Sequence, residues 1–351
     1  MSSNNKSDFF FYSYIIYMRS WFIFAHVVDE DEKKEFDRIF KKCRKNLDNN
    51  TSVYILRIYS KKLANVYHIT SEKQTIVLKS QQKDLTRRRW ISSLVNFVKR
   101  QSEKNKDEIK ALSYYGHGGS VVIGKWQDPF LGVSQFTNYV IKPFGDIKLI
   151  TMDSCYMGGL TSMYEVSAYC KFAAASPSWH PDLSVSSLKA FGKLPKSDDD
   201  ETWKNYTKSL SCEFKITGRK PKYSCFMPID LRNLRKIVNK IKVLNLTKDS
   251  VLKLNDPQQF DLYLSVPDEK IRSQLKDIII SKTCMSECPK RINGISVREP
   301  DPSDAWHEYF VKTEWSRVLK NIKIVNDETI EKEQEKKKTK KRPSKMKQGD
   351  C

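Results

Sequence analysis

Acidic side chains are in short supply. The 351-residue chain sets 42 Asp and Glu against 63 Lys and Arg, a formal net charge of +21. A field of that sign favours acidic partners such as nucleic acid, anionic membrane or acidic protein. A compositional reading stands beside it, because Lys, Asn, Ile, Tyr and Ser are abundant along the whole chain. Dense cysteine spacing is missing too. The eight cysteines are scattered, which excludes a disulfide scaffold. Cys284 and Cys288 stand four apart with no second pair at zinc-site spacing, so no metal site is expected. Free thiols suit a reducing compartment, cytoplasmic or nuclear, with secretion left open. There is no internal repeat, zinc finger, RNP-type aromatic strand or glycine-rich phosphate loop, which removes the commonest nucleic-acid and nucleotide modules. An unbroken membrane-length run is also lacking. DFFFYSYIIYMRSWFIFAHVV (8–28) is interrupted by Arg19 and His26, and no small-residue cleavage site follows. It reads as a short extension, 1–18, and then a buried strand, SWFIFAHVV, so no membrane partner is favoured.

What is present is an alternation of strand and helix patterns. After the first strand, DEDEKKEFDRIFKKCRKNLD is acidic in front and basic behind, as a helix dipole prefers, with Phe36, Ile39, Phe40 and Cys43 at helical spacing. TSVYILRIYS (51–60) reads as a strand, and NVYHIT with QTIVLKS as a hairpin. DLTRRRWISSLVNFVKRQ (84–101) reads as a helix with Trp90, Leu94, Phe97 and Val98 on one face. EIKALSYYGHGG and DIKLITMDSC are strands that each run into a glycine-rich turn. TSMYEVSAYC is then a helix, KFAAASPSW a strand, and KYSCFMPIDL a strand leading into the helix LRNLRKIVNKIKVL. This order predicts an α/β fold with a mostly parallel sheet and helices on both faces, with ligands at the carboxyl ends of the strands. Residues 19–245 form the main domain and 246–322 a smaller, mostly helical part containing the strand-like NGISV. The end of the chain, 323–351, lacks hydrophobic periodicity and is expected to be disordered; nine Lys and Arg against four acids in 331–351 make it basic.

The two glycine-rich turns carry the chemistry. In SYYGHGG, His117 sits between Gly116 and Gly118. In DSCYMGG, Cys155 ends its strand and Gly158 and Gly159 follow. If the two strands are neighbours, an imidazole faces a thiol across one cleft. A free thiol has a pKa of about 8.5, so an imidazole that accepts its proton makes a nucleophile, and the same imidazole can protonate a leaving amine. The backbone N–H groups of Gly118 and Cys155 are placed to receive a developing oxyanion.

Strand-His-Gly, a spacer, then strand-Asp-x-Cys-x-Met-Gly resembles the clostripain-like cysteine peptidases, which belong to the larger caspase-like group. DIKLITMDSCYMGGLTSMYEVSAYCKFAAASPSW is similar to that family's nucleophile strand, helix and Ala-Ser strand, and KYSCFMPIDLRNL and NGISVREP…TEWSRVLKNI follow in the family's order. The resemblance covers roughly residues 20–322. It implies a caspase-like fold and a cysteine endopeptidase working through an acyl-enzyme, with Cys155 as nucleophile, His117 as general acid/base, and Gly118 and Cys155 as the oxyanion hole. It also implies that Asp153 faces the S1 pocket, which favours Arg or Lys at P1. Ala175, Ser176 and Pro177 fall on the strand that binds extended substrate, and Trp179 on the pocket wall; a helix cap for Asp153 and core packing for Trp179 are the plain alternatives. Some relatives cut themselves between the two catalytic strands, and Lys125 is the candidate position here.

The chain departs from the family pattern in places. Ser154 replaces the usual Ala, and Tyr156 the usual Leu. The acidic run Asp198–Glu201 stands in a stretch read as a solvated loop, with a second charge near S1 or a calcium site as other readings. No cofactor is implied, with calcium left open. The expected partner is a protein or peptide substrate, with nucleic acid a second partner through the basic tail, and the expected state is a monomer. An inactive caspase-fold scaffold and a basic nucleic-acid-associated protein are the competing functional readings.

Overall fold

The computed structural model describes residues 18–60, 62–82, 86–125, 128–176, 193–212, 227–241, 245–248, 259–261, 266–281, 296–298, 306–319 and 323–326. Strand β1 (Met18–His26) leads into helix α1 (Glu30–Asn46), and β2 (Thr51–Ile58) into the hairpin β3 (Leu63–Ile69) and β4 (Gln74–Gln81). Helix α2 (Arg87–Asn105) returns the chain to β5 (Asp107–Gly116). A small hairpin, β6 (Val122–Lys125) and β7 (Asp128–Gly132), and helix α3 (Val133–Phe136) precede β8 (Ile147–Asp153). Helix α4 (Leu160–Val166), β9 (Cys170–Ala175) and β10 (Met227–Asp230) follow.

Eight strands form one sheet in the order β10-β9-β8-β5-β1-β2-β3-β4. The central five run parallel; β10 at one edge, and β3 with β4 at the other, are antiparallel. The central strands are apolar without interruption because both faces are covered. Trp21, Ile23, Ala25, Tyr115, Leu149 and Phe172 pack on the α1 side. Phe22, Phe24, Leu112, Tyr114, Ile150 and Met152 pack on the side of α2 and α4. Buried hydroxyl pairs between register partners reinforce the alignment: Ser20 with Ser52 at 2.6 Å, and Thr151 with Ser113 at 2.8 Å. A slip of one residue would send every side chain to the opposite face and break those pairs. Among the described residues, no helix is long and apolar enough to cross a membrane.

Three expectations need correction. The stretch around Asp198–Glu201 is not a solvated loop beside the S1 region, because the helix Asp200–Cys212 begins within it. Asp198 pairs with Arg19 and Lys110, and Asp200 with Lys148, Lys171 and Arg232. Arg19, Lys148 and Lys171 belong to the amino ends of parallel strands, so this run lies at the sheet edge opposite Cys155. The tail is not unstructured from its first residue, since Lys323–Asn326 pairs in parallel with Asn245–Lys248. The β6–β7 hairpin and α3 occupy a stretch to which the sequence pattern assigned no element. Residues 1–17 and 327–351, Pro177, Trp179, Cys284 and Cys288 lie outside the described residues.

The C-terminal segments join the same core. Trp306, Phe310 and Trp315 belong to the apolar cluster that contains Met152 and Met163. Glu165 of α4 accepts the backbone N–H groups of Glu314 and Trp315, which begin the helix Glu314–Leu319. Arg235 completes the tie by donating to Tyr164 O at 3.0 Å and to Glu314 at 2.7 Å. Burial, against those donated N–H groups, pushes the Glu165 carboxyl above its usual range. Glu165→Ala is therefore expected to lower unfolding stability in urea by about 1–2 kcal/mol, the usual worth of a helix-capping acceptor, with Glu165→Gln losing less because its amide oxygen still accepts.

Candidate active site

Strands β5 and β8 are adjacent and parallel, with Tyr115 opposite Asp153. β5 ends at Gly116 and β8 at Asp153, so His117 and Cys155 lie in the turns that follow at the same end of these neighbouring strands. The two turns are in direct contact. A Cβ on Gly118 would lie 2.2 Å from Ser154 Oγ and 3.0 Å from Met157 Cγ, so only glycine lets the histidine turn approach the cysteine turn this closely. Gly116 has φ +139°, and a Cβ there would meet the His26 carbonyl at 2.5 Å.

The histidine turn is held from several sides. Tyr114 Oη donates to the His117 carbonyl, and Gly124 N–H donates to the same oxygen at 2.8 Å. Ser162 of α4 donates to the Ser120 carbonyl, and the Trp306 ring packs where a Cβ of Gly119 would stand. The bridge between Gly118 and Ile123 runs through Gly119 N–H to Val122 O and Gly124 N–H to His117 O. That pattern leaves the Gly118 N–H without an acceptor among the described residues.

Two carboxylates meet the His117 ring. Nε2 lies 3.1 Å from Asp29 Oδ2 and 3.2 Å from Glu32 Oε1. Both acids belong to the start of α1, where Asp29 is the N-cap and Glu32 Oε2 accepts the Asp29 N–H at 3.4 Å. Lys125 Nζ pairs with the other oxygen of Asp29 at 2.5 Å. Burial opposes ionisation of Asp29, but the bonds from Lys125 and His117 outweigh it and hold the carboxyl below its usual range. Glu32 is deeper, and burial raises its carboxyl against the pull of His117. The ligand atoms of Asp29, Glu32 and His117 all lie within 4.8 Å of one another, and these three could hold a divalent cation.

Neither carboxylate was named as a site residue from the sequence, where DEDE served only as a helix start. The signal was nevertheless there. A helix that follows a parallel strand begins at the sheet's carboxyl edge, so its first-turn acids belong to the ligand-binding side.

Cys155 is half-buried and is in no disulfide among the described residues. The next residue, Tyr156, has φ +59°, a left-handed conformation costly for a tyrosine, in the turn that presents the thiol. Asp153 is buried at the end of β8. Ala175 is aligned with Met152 of β8 on one side and Met227 of β10 on the other, and the Ser176 carbonyl accepts Gly158 N–H at 2.6 Å. Both residues are fully buried. Lys125 ends β6 opposite Asp128, at the tip of the hairpin.

Ser154 Oγ is buried and has no hydrogen-bond partner among the described residues. An unpartnered buried hydroxyl costs stability. Ser154→Ala is expected to unfold at the same denaturant concentration as wild type or to be up to about 1 kcal/mol more stable, whereas Gly118→Ala, which drives a methyl into the same contact, is expected to lower stability.

No protein-family model and no curated protein matches the sequence. Solved structures do resemble it. An inactive zymogen C11 protease from Parabacteroides distasonis superposes with a TM-score of 0.67 at 13% identity, over 88% of this chain and 99% of that one. The secreted C11 cysteine protease iotapain from Bacteroides thetaiotaomicron gives 0.65 at 14% identity, over 87% and 99%. A secreted C11 cysteine protease from the same organism, in complex with an irreversible peptide inhibitor, gives 0.64 at 11% identity, over 86% and 98%. The likeness spans most of the chain, which has the fold of the C11, clostripain-like cysteine proteases.

Proposed function

We propose that the protein is a cysteine endopeptidase in which Cys155 is the nucleophile and His117 the general acid/base. The observation that supports this reading is that His117 and Cys155 lie in the turns that follow two adjacent parallel strands, β5 and β8, with those turns in contact through Gly118 and Ser154. The shared fold supports it. The imidazole accepts the thiol proton, and the thiolate attacks the scissile carbonyl. The oxyanion that forms takes a hydrogen bond from Gly118 N–H, whose donor is otherwise unengaged, and from Cys155 N–H. Collapse of the intermediate passes the proton from His117 to the leaving amine, and water then hydrolyses the acyl-enzyme by the same route in reverse. Asp29 and Glu32 hold the imidazole from Nε2 and stabilise its cationic form through each proton transfer.

Asp153 is assigned to the floor of S1, where its carboxylate meets a P1 Arg or Lys. Ala175 and Ser176, at the end of β9, are assigned to the acyl portion of the substrate. A peptide as the occupant is supported by the inhibitor complex among the fold relatives. Two of those structures are of secreted proteases, so the fold likeness gives the intracellular expectation no support.

Fluorogenic peptides ending in Arg, Lys, Asp or Asn, with and without calcium, test the reading. Wild type is expected to cleave after Arg or Lys, and Cys155→Ala to lose all turnover. Asp153→Asn is expected to lower kcat/KM for those substrates by roughly 10²–10³-fold, the scale of losing one partner of a buried charge pair. Turnover that survives Cys155→Ala would remove the dyad. Self-processing is assigned to the bond after Lys125, the last residue of β6. Intact mass of active wild type is expected to show two fragments separated there, and full activity from an unbroken chain would refute it.

A further inference from the structure

One nitrogen of the His117 ring faces two carboxylates. Nε2 lies 3.1 Å from Asp29 Oδ2 and 3.2 Å from Glu32 Oε1. A ring nitrogen carries at most one hydrogen, so a single donor stands before two ionisable acceptors. Taken as a donor set, this is one imidazole nitrogen and two carboxylate oxygens, with one such atom from each residue within 4.8 Å of the other two.

The spacings suit a small metal ion. Zinc binds imidazole nitrogen and carboxylate oxygen at about 2.0–2.2 Å, which in a tetrahedron sets neighbouring ligands roughly 3.3–3.6 Å apart. The two edges that share Nε2 come within a few tenths of an ångström of that range, and turning a carboxylate about its own side chain closes the third. The frame beneath the donors is already fixed. Asp29 is the N-cap of α1, Glu32 keeps its other oxygen on the Asp29 N–H, and the His117 carbonyl is held by Tyr114 and Gly124. The His117 and Asp29 side chains are 37% and 36% exposed, so a hydrated ion has a way in and waters can complete its shell.

Charge and donor type select the ion. Lys125 pairs with Asp29 through Oδ1, the oxygen that does not meet Nε2, and so neutralises one of the two acids. The second acid is left to balance a divalent cation. Calcium and magnesium prefer all-oxygen shells, whereas an imidazole nitrogen favours zinc and its transition-metal neighbours.

The consequence for the dyad follows from the tautomer. With Nε2 engaged by the carboxylates, the nitrogen left for the thiol is Nδ1. A neutral imidazole that ligates a metal through Nε2 keeps its one proton on Nδ1, where it has no lone pair to accept another. When the ion enters a neutral ring, the proton moves from Nε2 to Nδ1; when it enters an imidazolium, the Nε2 proton is released to water. No bond to sulfur forms in either case.

We propose that Asp29, Glu32 and His117 form an inhibitory site for a divalent transition-metal ion of the zinc class, which withdraws His117 from the dyad without using Cys155. The inhibition rests on the peptidase reading; the binding does not.

Titration calorimetry of zinc into the full chain carrying Cys155→Ala needs no turnover and tests the site directly. Adding Asp29→Asn, which keeps a good N-cap residue, or Glu32→Gln is expected to weaken zinc binding at least tenfold. Adding Lys125→Met, which removes the cation that competes for Asp29, is expected to tighten it several-fold. Asp31→Asn, a change to a fully exposed acid in the same helical turn, is the control for the general field and should leave the affinity within twofold. Equal affinity in the Asp29, Glu32 and Asp31 variants overturns the site. Cobalt(II) in the wild-type chain is expected to show the weak visible bands of nitrogen and oxygen ligation, unchanged by Cys155→Ala. An intense near-ultraviolet thiolate band that disappears with Cys155 places the metal on the nucleophile and overturns the proposal. In wild type, zinc is expected to abolish peptide cleavage with a midpoint at its binding constant, and a chelator to restore it. Cleavage that persists with the site filled overturns the inhibitory role. A metal-free enzyme that never cleaves, while zinc binds at the cluster, removes the peptidase reading and the inhibition with it.

Discussion

The direct pairing of β5 with β8 is the constraint on which the site depends. Residues 117–146 contain a hairpin, a helix and its irregular continuation, yet the chain returns to lay β8 beside β5 with no strand between. Because side chains alternate along a strand, the register decides the face as well as the height. The Ser113–Thr151 hydroxyl pair and two covered faces set that register. Shifted by one residue, Asp153 and Tyr115 would part, the cysteine turn would lose its level with the histidine turn, and the contact between Gly118 and Ser154 would go. The glycines are a consequence of this arrangement. They let two turns touch that the strands have already brought together.

The same chemical motif appears twice with opposite outcomes, and that marks the limit of reading charge from sequence. Both acidic runs begin helices, where the backbone N–H groups favour carboxylates. Asp29 and Glu32 follow a parallel strand and so stand at the carboxyl edge, against His117. Asp198 and Asp200 precede a helix that returns along the sheet, and so stand at the amino edge among Arg19, Lys110, Lys148 and Lys171. Local composition gives the helix start in each case. Only the direction of the chain relative to the sheet decides whether the carboxylates meet the candidate histidine or a set of structural cations.

The parts legible beforehand share a physical cause. Uninterrupted apolar runs such as LITM and FIFA mark strands buried on both faces, and glycines behind a histidine and a cysteine mark strand ends where backbone must approach closely. These signals are local. What escaped the sequence was non-local or weakly patterned. The β6–β7 hairpin is too short for periodicity to show, and Lys323–Asn326 finds its partner more than seventy residues upstream. No pattern in KFAAASPSW reveals that β10 will pair with β9.

The two flanks of the dyad are built for different tasks. On the β9 side, small buried residues and paired backbone make a rigid floor: Ala173, Ala174 and Ala175 are fully enclosed, and Gly158 is tied to Ser176. Rigidity there suits the proposed chemistry, in which a nucleophile and its oxyanion donors must keep their spacing to a fraction of an ångström. On the β1–β2 side stand long, charged and partly exposed side chains from α1, α2 and the hairpin tip. Such side chains are carried on helix ends and turns, which tolerate change without disturbing the sheet. The sheet thus fixes the positions proposed for bond breaking, while the rim of helix starts and hairpin carries the charged groups around them. Part of the basic excess of the sequence is spent at the amino edge, neutralising Asp198 and Asp200.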